Sequence, residues 1–164
     1  MPDPDLLPPI PAQRLRSGDR RALRILLPLC LTPTRPALLG RGVSAGEQRI
    51  EHPFATPSSG AAAHLYLAEW RNAGTRTERL LGAETPLAAR VELQARPGSA
   101  RSFETVAALA LEPGGELRML PGQGARLRAL GLKRALRDGD TFALTLHFER
   151  AGAVSVQVQV QQQR

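Results

Sequence analysis

The tightest constraint on the fold lies at the C-terminal end. In "GAVSVQVQV", Val154, Val156, Val158 and Val160 alternate with Ser155, Gln157 and Gln159. A period of two belongs to an extended strand, whose successive side chains leave opposite faces. One face is apolar and the other polar, so the strand sits with one side on a core and one in water. The glutamines at 157, 159 and 161–163 are too short a run for a low-complexity tract and read as a solvated face with a polar tail.

The same period recurs upstream. "RVELQ" puts Val91 and Leu93 on one face and Glu92 and Gln94 on the other. "ARLRAL" puts Arg126 and Arg128 together, with Leu127 and Ala129 opposite. "RIEHPF" runs into the turn-rich "TPSSG", "HLYLAEWRN" into "NAGT", and "FETVAALALE" into Pro113, Gly114 and Gly115. "RDGD", residues 137–140, is expected to be a hairpin-type turn ahead of "TFALTLHFE". No segment carries a helical period. Seven or eight short strands at regular spacing predict an all-β sandwich or barrel.

The first 45 residues read differently. They hold more than half of the 14 prolines and show no sustained period. "DRRALRILLPLCL" sets basic residues before a short apolar run, and Val43 and Ala45 follow in a small-x-small arrangement. That outline predicts an export signal over 1–45, with cleavage near Ala45 and a folded domain over 46–164. "DRRAL" resembles a twin-arginine export motif with Asp19 in place of the usual Ser or Thr, which leaves the route open between that and the general secretory one. A disordered N-terminal extension is the other reading. The expected location is the periplasm. No run reaches the ~18 apolar residues of a membrane-spanning helix.

Charge and cysteine content narrow the function. The net charge of +7 divides into +4 over residues 1–45, from seven Arg against three Asp, and +3 over the remainder. A nucleic-acid surface needs a dense basic stripe with stacking aromatics. Here Arg and Glu are interleaved and aromatics are only 4%, so nucleic acid is not an expected partner. Cys30 is the single cysteine, which excludes an intrachain disulfide and a cysteine-based zinc cluster. No nucleophile–His–acid set, phosphate-cradling loop or hydrolase metal motif is visible, so no enzyme activity is expected.

Several stretches together carry a family resemblance: "EHPFA", "RNAG" with "RLLGAETPLAARVEL", "GLKRALRDGDTFALTLHFE" and the closing strand. Over about residues 48–160 the chain resembles the PCu(A)C periplasmic copper chaperones. The resemblance implies a cupredoxin-like Greek-key β-sandwich or barrel, in agreement with the strand reading. It also implies a copper site built from one His, one Met and a closing His-x-Met pair. Thioether sulfur is soft and suits Cu(I), and imidazole binds copper in either oxidation state.

At each of those four positions this chain departs from the family. The positions equivalent to the ligands are Gln94, Phe103, Arg126 and Arg128. Guanidinium has no lone pair to give and stays protonated. At ~5 Å, with an effective dielectric of ~20, each such cation repels Cu(I) by on the order of 3 kcal/mol. No metal is therefore expected there, and copper as cargo rests on the resemblance only. His52, His64, His147 and Met119 remain as other potential ligands, without metal-ligand spacing.

Three readings follow. The chain is a ligand-depleted accessory or binding module in metal-enzyme assembly, with a periplasmic metalloprotein or another copper chaperone as partner. Alternatively it carries copper through unconventional ligands. In the third reading Arg126 and Arg128 bind an anion or small molecule, since paired arginines grip carboxylate or phosphate in bidentate fashion. Against the third stands a plain solvated strand face, its arginines paired to Glu92 or Glu104.

Overall fold

A computed structural model describes residues 42–162. The predicted export signal lies outside the described residues except for its last four positions. Among the described residues there are eleven strands and no helix. They are β1 (Val43–Ala45), β2 (Gln48–Ala55), β3 (Ala62–Asn72), β4 (Glu78–Glu84), β5 (Arg90–Ala95), β6 (Glu104–Thr105), β7 (Leu109–Leu111), β8 (Glu116–Leu117), β9 (Ala125–Leu130), β10 (Thr141–Phe148) and β11 (Gly152–Val160). The count exceeds seven or eight because four elements are only two or three residues long.

Seven strands close on themselves in the order β2-β11-β10-β4-β5-β9-β3, with β3 pairing back to β2. The expected all-β fold is thus a closed barrel. Neighbours in the ring are antiparallel except β11 and β2, which run parallel through Gln159↔Phe54 and Val160↔Ala55. β1, β6, β7 and β8 are short additions to β2, β5, β4 and β3.

Alternation fills the barrel. Val154, Val156, Val158 and Val160 are buried, as are Leu144, Leu146 and Phe148 of β10 and Ala125, Leu127 and Ala129 of β9. Trp70 is fully buried and tilts against Phe148, with ring centroids 5.3 Å apart. Its indole N–H donates to Gln48 Oε1 at 2.9 Å, and Gln48 Nε2 donates to Asn72 Oδ1 at 2.9 Å. The buried amides are thereby paired, as a dry interior requires. Met119, between Arg118 and Leu120, is fully buried and serves as core.

The residues at 137–140 do form a turn, with Asp140 N–H donating to Arg137 O at 3.0 Å and Gly139 at φ 86°. It is not a hairpin. β9 pairs with β3 and β5, while β10 pairs with β4 and β11. Local turn chemistry does not reveal which strand lies beside which. The hairpin of this region joins β10 to β11, where Gly152 takes φ 73°.

One irregularity positions the candidate site. Along β2, Gln48 and Ile50 face the interior, but so does Ala55, an odd number of residues on. β3 shows the same change of phase, from Leu65 and Leu67 to Trp70 and Asn72. Register between the strands holds through Ile50↔Trp70 and Pro53↔Leu67, so both strands step together. His52 sits at the step with φ 44°, a left-handed conformation rarely taken by a non-glycine residue. The step turns the cross-strand pair Phe54 and Tyr66 outward, where their rings stack at 5.2 Å. Both are nearly covered, at 5% and 6% exposure, yet neither belongs to the barrel core.

Candidate functional site

β5, β9 and β3 lie side by side, and the outward residues of β9 look across to both neighbours. Arg126 faces Gln94 of β5. Arg128 faces Glu92 of β5 on one side and His64 of β3 on the other. The inward partners Ala125, Leu127 and Ala129 are buried. The period of two therefore puts both arginines on one face, as the sequence implied. They are half-buried.

Phe103 arrives from the loop before β6. That strand pairs with the end of β5 through Gln94↔Thr105 and Ala95↔Glu104, which brings the ring beside Gln94. The Arg126 guanidinium lies over the Phe103 ring, 3.8 Å from its centroid. Arg126 Nε–H donates to Gln94 Oε1 at 2.9 Å. Arg96 approaches the same ring at 4.6 Å. Arg126 thus contacts both Gln94 and Phe103, and Arg128 is two residues further along β9. The four positions assigned by resemblance lie together in space.

Gln94 differs from its expected place on a solvated face. It is only 5% exposed and is bonded to Arg126. The carboxylate partners proposed for the arginines are engaged elsewhere or absent. Glu92 pairs with Arg90 at 3.2 Å and accepts from the Thr105 hydroxyl at 3.5 Å. Neither Glu92 nor Glu104 forms an ion pair with Arg126 or Arg128.

Electrostatics follow from this crowding. Burial lowers the His64 pKa from its ordinary value, and Arg126 and Arg128 lower it further. Both effects favour the neutral imidazole. Burial raises the Tyr66 pKa, partly offset by Arg126. Burial also lowers the Arg126 pKa; Tyr66 opposes this, while Arg128 and Arg96 add to it. Guanidinium nonetheless remains charged in any ordinary buffer.

Copper as cargo does not fit these side chains. The four positions present a carboxamide, a phenyl ring and two guanidinium groups. The one good lone pair, on Gln94 Oε1, already accepts from Arg126. His64 supplies one imidazole, flanked by cations. Of the other potential ligands, His147 pairs with Glu84 at 3.4 Å, His52 sits at the strand step, and Met119 is in the core. Among the described residues no three His, Cys, Asp or Glu side chains come together as a metal group. Cys30 lies outside the described residues.

Two members of the cluster carry little or no signal in the sequence. Arg96 follows Gln94 by two residues, so the period of β5 already hinted at it. Tyr66 carries no such signal, since it meets Arg126 only through the pairing of β3 with β9.

The LpqE-like family model matches residues 49–160, which is most of the chain. Among solved structures, the copper-bound PCuAC domain from PmoF2 is 25% identical with a TM-score of 0.65. It covers 75% of this chain and 99% of that domain. The apo PCuAC domain from PmoF1 is 21% identical with a TM-score of 0.66, covering 75% of this chain and all of that one. Apo-DR1885 from Deinococcus radiodurans is 23% identical with a TM-score of 0.53, covering 93% and 97%. No curated protein matches the chain. Among the described residues no helix is long and apolar enough to cross a membrane. The chain belongs to the LpqE-like family, and its domain has the cupredoxin-like fold of the PCuAC copper chaperones.

Proposed function

We propose that this protein is a ligand-depleted PCuAC-like accessory module in metal-enzyme assembly, acting without holding copper at the family's ligand positions. One observation carries the reading. The Arg126 guanidinium stacks on Phe103 and bonds to Gln94, placing a fixed cation among the positions where the resemblance puts ligands. A cation held there both occupies space and repels Cu(I). The module would be exported to the periplasm and act by binding a metalloprotein or another chaperone rather than by catalysis. A copper carrier with unconventional ligands finds less support, because His52, His64, His147 and Met119 are dispersed over different parts of the barrel.

The test is a Cu(I) titration of the full chain carrying Cys30→Ser, against a competing chelator. The serine removes a soft thiolate that would bind Cu(I) by itself. No stoichiometric binding is expected. Arg126→His with Arg128→Met should also fail, since Gln94 and Phe103 remain. Adding Gln94→His and Phe103→Met should produce binding. Tight stoichiometric uptake by the parent Cys30→Ser chain would sink the proposal.

A further inference from the structure

Many of the arginines are ion-paired, and among the unpaired ones three stand near one another. Arg71, Arg79, Arg90, Arg118 and Arg134 each have a carboxylate within 4 Å. Arg96, Arg126 and Arg128 have none among the described residues, although they sit together. Two of them, Arg126 and Arg96, lie over the Phe103 ring, at 3.8 and 4.6 Å from its centroid. The third is two residues from Arg126 on the same side of β9. Arg96 Nε is buried without a hydrogen-bond partner, an arrangement that costs free energy unless an acceptor supplies the bond. Arg126 spends only its Nε–H on Gln94, and Arg128 donates to no side chain or carbonyl among the described residues.

We propose that Arg96, Arg126 and Arg128 form an oxyanion-binding site that takes a phosphate or carboxylate group on the outer face of β9. Stacking on Phe103 fixes the guanidinium plane of Arg126 and leaves its outer N–H edge free for bidentate donation. Arg128 stands one pleat away on the same face, within reach of a second oxygen of the same ligand. His64, opposite Arg128 on β3, adds an imidazole that can donate or accept. A bound oxyanion would relieve the mutual repulsion of the three cations and raise the His64 pKa toward its ordinary value.

The inference rests on the reading that these positions have given up copper, and its test separates the two. The full chain is titrated with inorganic phosphate, with succinate, and with sodium chloride at matched ionic strength. Unfolding midpoint and the His64 imidazole NMR titration are followed. A saturable rise in midpoint with phosphate or succinate is expected, together with an upward move of the His64 midpoint. Whichever anion saturates at lower concentration identifies the preferred group. Arg128→Gln, whose parent side chain holds no bond among the described residues, should weaken the response about tenfold or more. An equal response to chloride, or an undiminished response in Arg128→Gln, would overturn the site. If neither oxyanion binds and Cu(I) is also refused, the anion site falls and the ligand-depleted reading stands.

Discussion

Replacing Arg126 by leucine tests whether the arginine is built into the fold or merely rests on it. Leucine keeps apolar cover on Phe103 but removes the cation and the Nε–H. The lost cation–π contact, at 3.8 Å and half-buried, contributes about 1 kcal/mol. Gln94 Oε1 would be left unpaired at a residue only 5% exposed, costing roughly 1–3 kcal/mol. Relief of burial and of repulsion from Arg128 and Arg96 acts the other way. The net expectation is a loss of about 2 kcal/mol, or a fall of roughly 6–8 °C in Tm for a domain of this size. The single Trp70, fully buried, gives the fluorescence signal for thermal unfolding. The decisive comparison is Arg126→Leu with Gln94→Leu. Removing both partners leaves no orphaned acceptor, so the double variant should be more stable than Arg126→Leu alone. A single variant within about 0.5 kcal/mol of the parent, or a double variant less stable than the single, would refute the described cluster.

Two further expectations concern stability away from and within the site. Glu78 is 2% exposed and accepts from the backbone N–H groups of Arg79, Arg150 and Ala151 at 2.9, 3.0 and 3.0 Å. Glu78→Ala should therefore cost about 3 kcal/mol in urea unfolding, with Glu78→Gln intermediate because one acceptor oxygen survives; equal losses would count against this clamp. His64 has a lowered folded pKa, so below about pH 6.5 the unfolded chain takes up its proton first and stability declines as pH falls. His64→Gln should flatten that decline below about pH 6.5, and an unchanged slope would show that other groups cause it.

The site was legible in parts. The spacing of Arg126 and Arg128 fixed their shared face, and the resemblance paired them with Gln94 and Phe103. Their contact was not legible. Gln94 has the sequence context of an outward polar strand position, yet it is buried and bonded to Arg126 of another strand. The role of Arg96 depends on where Phe103 lands, which its own strand does not reveal. The turn at residues 137–140 is legible in the sequence but is not a hairpin, since the strand before it pairs with β3 and β5. Nor did "IEHPF" disclose that β2 changes phase at His52, because the step exists only jointly with β3.

What the sequence by itself determined is the set of strand faces. Alternation is a local property of an extended backbone, so valines at every second place in β11 and arginines at every second place in β9 need no partner to define their sides. What only the tertiary structure decided is neighbourhood. The order β5-β9-β3, the outward turn of Tyr66, and the Arg126 cation between Gln94 and Phe103 arise from pairings between segments distant in the chain. Those contacts turn two half-buried arginines from a possible ion-paired surface into a cationic cluster without a counter-charge among the described residues.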